Sequence, residues 1–239
     1  MSDGIRVAVL AAGRGSRLGG PLPKPCVPLL GRSVAEWNLR SFAEAGLRRF
    51  LVVLGHAAAR VRGHYEGVAA ALGCDVEFTT AEGWQRGNGV SALAAARRLG
   101  EGPYLLSMAD HLFSSGLVAA FAAEEPRPGT VHLAVDRRVA PGVDLDDLTK
   151  VGLDGEAVIA IGKDLPRWDA GDVGLFHATG GLAEGLEAAQ ARGGYSLSDG
   201  ARECAERRRL RAVPIAAGEV WLDLDTPDDL ARAAREWRR

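Results

Sequence analysis

The stretch that most constrains this chain is Val7 to Gly31, VAVLAAGRGSRLGGPLPKPCVPLLG. Val7 to Ala12 is an unbroken apolar run, of a length that suits a buried strand. It breaks into Gly13-Arg14-Gly15-Ser16-Arg17, where two glycines allow positive φ and close backbone approach, so that main-chain N–H groups can converge on an anion. Arg14, Arg17 and Lys24 add positive charge. The turn leaves the end of a strand, where open α/β sheets bind ligands. The combination predicts a site with more than one phosphate in view.

Spacing removes the commonest phosphate motifs. There is no G-x-x-x-x-G-K-[ST] run. A dinucleotide fingerprint needs G-x-G-x-x-G, and Gly13-x-Gly15 is followed by Leu18 at the third glycine position. A glycine turn with incidental surface arginines is the plain alternative.

Downstream, Ser33-Val34-Ala35-Glu36 reads as a capping box, with Gly46 stopping its helix. Phe50 to Leu54 reads as a strand, Ala57 to Leu72 as a helix ended by Gly73, and Asp75 to Thr80 as a strand. This β-α-β-α-β rhythm predicts a parallel sheet with right-handed crossovers. Glu82 to Ser91 is a loop, with Asn88 as the candidate N-cap of a helix to Leu99. The strand Pro103 to Met108 ends in Ala109-Asp110-His111, and Ser114 or Ser115 opens a helix ending near Glu125. Thr130 to Val135 is a strand. Asp136 to Asp147 is charged, irregular and carries no assignment. Asp154-Gly155 predicts a two-residue hairpin turn between Lys150–Leu153 and Ala157–Ile161. Asp172 to His177 is a further strand. Helices follow from Gly180 to Ala191 and from Ser196 or Ser198 to Arg208. Arg211–Ile215 and Val220–Asp223 read as late strands with Gly218-Glu219 in the turn. Thr226-Pro227-Asp228-Asp229 opens a last helix that runs to the end. The expectation is one α/β domain over residues 1–239, Rossmann-like, with a mixed, mostly parallel sheet. A small β-hairpin lobe, about Arg127 to Lys163, is expected over the site.

Composition narrows the partners. A net charge of −2 supplies no basic field for nucleic acid. Cys26, Cys74 and Cys204 lack metal spacing and cannot all pair, so reduced thiols and a cytoplasmic setting are expected. The start is polar and no apolar run approaches ~20 residues, so neither a signal peptide nor membrane insertion is expected. The five histidines show no H-x-x-H or H-E-x-x-H pattern.

Several acids and one lysine fit phosphate chemistry. Asp110 and Asp225 each follow a strand, and two carboxylates suit Mg²⁺ when water and phosphate oxygens complete the shell. Asp223, two residues earlier, shares a strand face with Asp225 and suits a supporting or water-mediated role. The plain reading of Asp225 is a cap for the last helix. Lys163, after the hairpin, can hold an acceptor phosphate as a point charge, or be simply solvated. The loop Arg86 to Ser91 can admit a flat base. Asp172 precedes a strand and can meet substrate hydroxyls.

The order A-A-G-x-G-S-R-L-G, then Pro23-Lys24-Pro25 and Pro28-Leu29-Leu30-Gly31, resembles the signature of nucleotidyltransferases that activate sugar phosphates and related alcohol phosphates, with the GT-A-like fold this implies. Met108-Ala-Asp-His111, the Arg86–Ser91 loop, Thr149-Lys-Val with Ile161-Gly-Lys-Asp-Leu, Asp172-Val-Gly and Trp221-Leu-Asp-Leu-Asp-Thr narrow it. Together they look like CTP:inositol-1-phosphate cytidylyltransferases, whose relatives include phosphonate enzymes. The resemblance covers nearly the whole chain. It implies that Leu10, Ala11, Ala12 and Gly13 line the nucleotide, and that Gly87, Asn88, Gly89 and Ser91 surround the base. It further implies that Gly15, Ser16, Arg17 and Lys24 hold the triphosphate, and that Asp110 and Asp225 bind Mg²⁺. Lys163 would position the acceptor phosphate, with Asp172 near its hydroxyls. Arg17, Lys24 and Lys163 are the catalytic candidates, and a homodimer is an open expectation. The family is often fused to a membrane phosphotransferase, and no such domain is expected here. Rival readings are a sugar-1-phosphate nucleotidyltransferase, a phosphonate cytidylyltransferase, a guanylyltransferase acting on a pterin, and a nucleotide sensor without turnover.

Overall fold

The computed structural model describes residues 4–138 and 145–237. In chain order the strands and helices are β1 (Arg6–Ala11), β2 (Pro28–Leu29), β3 (Arg32–Ser33), α1 (Val34–Glu44), β4 (Arg49–Leu54), α2 (Ala58–Leu72), β5 (Asp75–Thr80), α3 (Asn88–Leu99), β6 (Tyr104–Met108), β7 (His111–Phe113), α4 (Ser115–Ala122), β8 (Val131–Asp136), β9 (Lys150–Asp154), β10 (Ala157–Gly162), β11 (Ala170–Ala178), α5 (Gly180–Ala191), α6 (Leu197–Glu206), β12 (Leu210–Pro214), β13 (Trp221–Asp223) and α7 (Pro227–Glu236).

Nine strands form one mixed sheet in the order β5-β4-β1-β6-β11-β8-β12-β10-β9. The expected parallel pairing holds in the half made of β5, β4, β1 and β6, and again between β8 and β12. The other half is antiparallel, because β9 and β10 are a hairpin and β11 runs back against β6 and β8. A hairpin needs no crossover, so its strands pair antiparallel. β9 also pairs with β11 through Val151 and Ala170, so this half curls back on itself. Residues 127–163, expected as a small lobe, thus supply β8, β9 and β10 to the main sheet.

Why β1 reads as unbroken apolar is now plain. Ala8 and Leu10 face a core layer with α3, α5 and α6, whereas Val7, Val9 and Ala11 face one with α1, α2 and α4. Both faces are covered by helices, so alternation disappears. A third cluster, including Leu29, Trp37, Leu112, Leu222 and Leu224, joins the β2–β3 hairpin to a ribbon of β7 and β13.

Local chemistry corrects several boundaries. Ser33 caps α1 by accepting from the Glu36 amide, but the Glu36 carboxylate turns to Arg32 and Arg40 and closes no box. Asn88 lies inside α3, and its side chain accepts from the Leu197 amide; Gly87 is the cap residue. The hairpin turn is Gly155-Glu156, since Asp154 still pairs with Ala157. β12 and β13 are not neighbours, because β13 pairs with β7. α4 ends at Ala122 and α6 at Glu206. Part of the unassigned stretch, 139–144, lies outside the described residues, as do the last two residues of the expected terminal helix. Among the described residues, no helix is long and apolar enough to cross a membrane.

Candidate active site

A cleft of about 320 Å³ opens where β1 and β6 end. Leu10, Ala11, Ala12, Gly13, Gly15, Ser16, Arg17 and Lys24 line it from the glycine-rich turn; Gly87, Asn88 and Ser91 line it from the start of α3; Asp110 and Asp225 close it. Gly15 adopts φ +64°, and a Cβ there would stand 2.7 Å from the Lys24 Cβ. Only glycine lets the turn fold down on the lysine stem.

Lys24 is almost fully buried, and its Nζ bridges two acids distant in sequence: Asp110 Oδ2 at 2.5 Å and Asp225 Oδ1. Burial opposes the charge on Lys24, but the Asp110 and Asp225 carboxylates outweigh it and raise its pKa. The same contest resolves in favour of charge at Asp110: burial disfavours the carboxylate, yet Lys24 and His111 hold it far below the ordinary range. The backbone explains the convergence. Antiparallel pairing sets Asp223 opposite His111, and the next bond runs from the Leu224 amide to the Asp110 carbonyl at 3.1 Å. Asp225 is thereby set beside Asp110.

His111 donates from Nδ1 to Asp110 Oδ1 at 2.9 Å and has Asp223 Oδ1 at 3.8 Å. Burial works against its protonation, but Asp223 and Asp110 raise its pKa to about 9. Asp223 is pushed up to about 6, by burial first and then by the neighbouring acids. One ligand atom from each of Asp110, His111 and Asp223 lies within 4.8 Å of the others. Protonated His111 is a hydrogen-bond donor and offers no lone pair, so the cation-binding atoms here are carboxylate oxygens. Asp223 Oδ1 is buried without a hydrogen-bond partner among the described residues. The Asp110 and Asp225 oxygens that converge on the Lys24 ammonium are a donor set that fits a hard divalent ion such as Mg²⁺.

At the rim, Arg17 donates to Asp225 at 2.6 Å and to Asp147 at 2.7 Å, and Asp147 also takes Lys163. Four expected site residues do not line the cleft. Lys163 is half-exposed on Asp147. Asp172 is internal: its Oδ1 accepts from the Gly174 amide at 2.7 Å, and burial raises it to about 6. Asp223 stands behind His111. Gly89 donates to the Tyr195 carbonyl at 2.8 Å, and a Cβ on it would lie 2.6 Å from that oxygen. Gly87 likewise lies against Tyr195, so these glycines serve the packing of α3 on the start of α6. Arg14 is exposed.

Sequence reasoning passed over Trp84, Gln85, Pro25, Met108 and Ala109, which also line the cleft. Trp84 stands edge-tilted to His56, with ring centroids 5.8 Å apart. It also missed Asp147, which lay in the unassigned stretch. For His111 it went no further than the lack of a metal pattern among the histidines, although the place of His111 next to Asp110 is an available signal.

A glycine turn after β1, buried cation–carboxylate pairs at the sheet's ligand edge and helices on both faces define the class: a nucleotidyltransferase built on an α/β sheet. Residues 7–204 match the MobA-like NTP transferase domain, and the chain belongs to that family. It is 35% identical over 230 residues to the bifunctional IPC transferase and DIPP synthase of Rubrobacter xylanophilus, covering 95% of this chain and 51% of that protein. Its counterpart in Thermococcus kodakarensis is 32% identical over 239 residues, with 96% and 50% covered. The chain therefore spans about half the length of these relatives. It is also 33% identical over 234 residues to 2-C-methyl-D-erythritol 4-phosphate cytidylyltransferase of Cereibacter sphaeroides, covering 95% and 94%. The inositol-1-phosphate CTP transferase of T. maritima shares the fold, with a TM-score of 0.83, 21% identity, and 97% and 96% covered.

Proposed function

We propose that this nucleotidyltransferase moves CMP from CTP to a small phosphorylated alcohol of the inositol-1-phosphate kind and releases pyrophosphate. The observation that carries the reading is the buried Lys24 bridge between Asp110 and Asp225 at the foot of the glycine turn. The likeness to a 2-C-methyl-D-erythritol 4-phosphate cytidylyltransferase over nearly its whole length supports the choice of CTP.

The acceptor's phosphate oxygen attacks the α-phosphorus in line, and the bond to pyrophosphate breaks. No enzyme nucleophile is required. The turn backbone at Gly13 to Ser16 and the Arg17 and Lys24 side chains hold the phosphates, so catalysis is alignment and charge neutralisation. Asp110 and Asp225 would hold Mg²⁺, which when bound neutralises phosphate oxygens. His111 keeps Asp110 oriented and ionised. Lys163, freed from Asp147, meets the acceptor phosphate, and Asp172 orders the backbone of β11 beneath it.

Pyrophosphate release tests the reading, with each of four NTPs crossed with inositol-1-phosphate, hexose-1-phosphates, small phosphonates and 2-C-methylerythritol 4-phosphate. Release with CTP and inositol-1-phosphate is expected. Release only with another pair would reassign the substrates, and none with any pair would favour a nucleotide sensor.

A further inference from the structure

Helix α1 carries a side chain whose bonding has no role in holding the helix. Asn38 is fully buried. Its Nδ2 donates to the His111 carbonyl at 2.7 Å and to the Met108 carbonyl at 3.2 Å. Those two carbonyls flank Ala109 and Asp110, so one amide spans the turn that presents Asp110. Both partners are acceptors, which fixes the amide with nitrogen toward the turn. The cost lies on the other side: Asn38 Oδ1 is buried with no partner among the described residues. A buried orphan acceptor is unfavourable by about 1–3 kcal/mol, so stability alone does not account for an amide here.

The rest of the turn is held from other directions. The Ala109 amide donates to the Leu10 carbonyl at 3.1 Å, and the Asp110 carbonyl accepts from Leu224 at 3.1 Å. β1 and the end of β13 thus fix two of its atoms, and Asn38 supplies the third anchor from the opposite layer. The adjacent residue, Trp37, donates from Nε1 to the Leu29 carbonyl at 2.8 Å. Consecutive side chains of α1 therefore secure the exit of the glycine–lysine loop and the acid turn.

We propose that Asn38 is a positioning residue: through the Met108 and His111 carbonyls it holds Asp110 at the angle from which the carboxylate serves Lys24 and a divalent cation. The inference rests on the reading of Asp110 given above. Groups that orient metal-binding residues typically change metal affinity or activity by about 10–100-fold when removed, and Asn38 belongs to that class.

Asn38→Leu removes both donors at similar volume, and Asn38→Ser keeps a single short one. Each variant is compared with wild type by Mn²⁺ titration in the presence of CTP, followed by electron paramagnetic resonance, by kcat and nucleotide KM at saturating metal, and by hydrogen exchange. Asn38→Leu is expected to weaken Mn²⁺ binding about 10–100-fold, to lower kcat, and to leave nucleotide KM nearly unchanged. Amide exchange should rise at Ala109 to Leu112 while the β1 and β4 amides stay protected. Asn38→Ser should fall between, and it decides the matter if the leucine variant does not fold. A folded variant with wild-type Mn²⁺ affinity and wild-type exchange at Ala109 to Leu112 overturns the proposal. A wild-type protein that binds no Mn²⁺ with CTP would sink the metal reading instead, and the exchange experiment would still judge Asn38.

Discussion

Charges in the cleft alternate from residue to residue. Lys163 meets Asp147, Asp147 meets Arg17, Arg17 meets Asp225, Asp225 meets Lys24, Lys24 meets Asp110 and Asp110 meets His111. Without a ligand the site thus neutralises itself, and a bound anion has to take cations from carboxylates. The exchange differs along the series. Lys24 is buried, so removing it takes away the one cation that Asp110 and Asp225 share, and leaves Asp110 with His111 and Asp225 with the half-exposed Arg17. Lys24→Ala is expected to lower turnover about 10²-fold or more at saturating substrate; a near-normal rate would remove Lys24 from the catalytic set. Arg17 and Lys163 are half-exposed, and a pair of that kind is worth about 1 kcal/mol or less. Asp147→Asn frees both from a competing carboxylate. Steady-state kinetics should then show a lower KM for the phosphorylated acceptor, by up to about fivefold. An acceptor KM that rises would mean that Asp147 supports the substrate site.

At the scale of elements, the active acids depend on the β7–β13 ribbon and on the strand beneath it. Gly174 interrupts the pairing of β11 with β8 and adopts φ +76°. A Cβ there would run into the His111 ring, which is held by Asp110 on its other side. Gly174→Ala therefore combines backbone strain with a clash behind the site. A loss of about 2 kcal/mol or more is expected in denaturant unfolding; a midpoint unchanged from wild type would show that the ring yields freely. These same elements mark where sequence reasoning stopped. The regular strands and helices of the first half were readable because periodicity and glycine stops act locally. β13 is readable as the strand Val220–Asp223, but β7, three residues long, is below the length at which any period declares itself, and the pairing of the two joins residues 110 positions apart, as Leu112 with Leu222 shows. Asp110 and Asp225 could be suspected singly from their places after strands. Their joint capture of Lys24 depends on that ribbon, and no local pattern encodes it. Gly89 shows the converse: a glycine-rich loop reads alike whether it faces a base or the backbone of Tyr195, and Gly89 lies against Tyr195 outside the cleft lining.

For the molecule as a whole, the sheet contains a group that ties global stability to pH. His177 on β11 pairs across the strands with His132 on β8, at the junction of the parallel and antiparallel halves. Its side chain is fully buried, and Phe121 of α4 lies 6.3 Å away, centroid to centroid. Burial lowers its pKa to about 4, and the nearby His132 adds to the shift. His132 donates from Nδ1 to the Glu124 carbonyl at 3.1 Å and its pKa is also lowered, again chiefly by burial. Well above pH 6.5 His177 is neutral folded or unfolded, and it imposes no pH dependence. As pH falls from about 6.5 toward 4, the unfolded chain takes up a proton at position 177 that the folded chain refuses. The unfolded state then binds more protons, so stability falls with falling pH, and the His177 contribution levels off below about pH 4. The full loss from this one group is on the order of 3 kcal/mol. His177→Leu removes the titration and keeps an apolar side chain in the same core. Unfolding free energies from denaturant titrations at pH 7.5 and 4.5 should therefore fall less for the variant than for wild type. Equal falls in the two proteins would place the acid sensitivity elsewhere, with the cleft carboxylates the next groups to test.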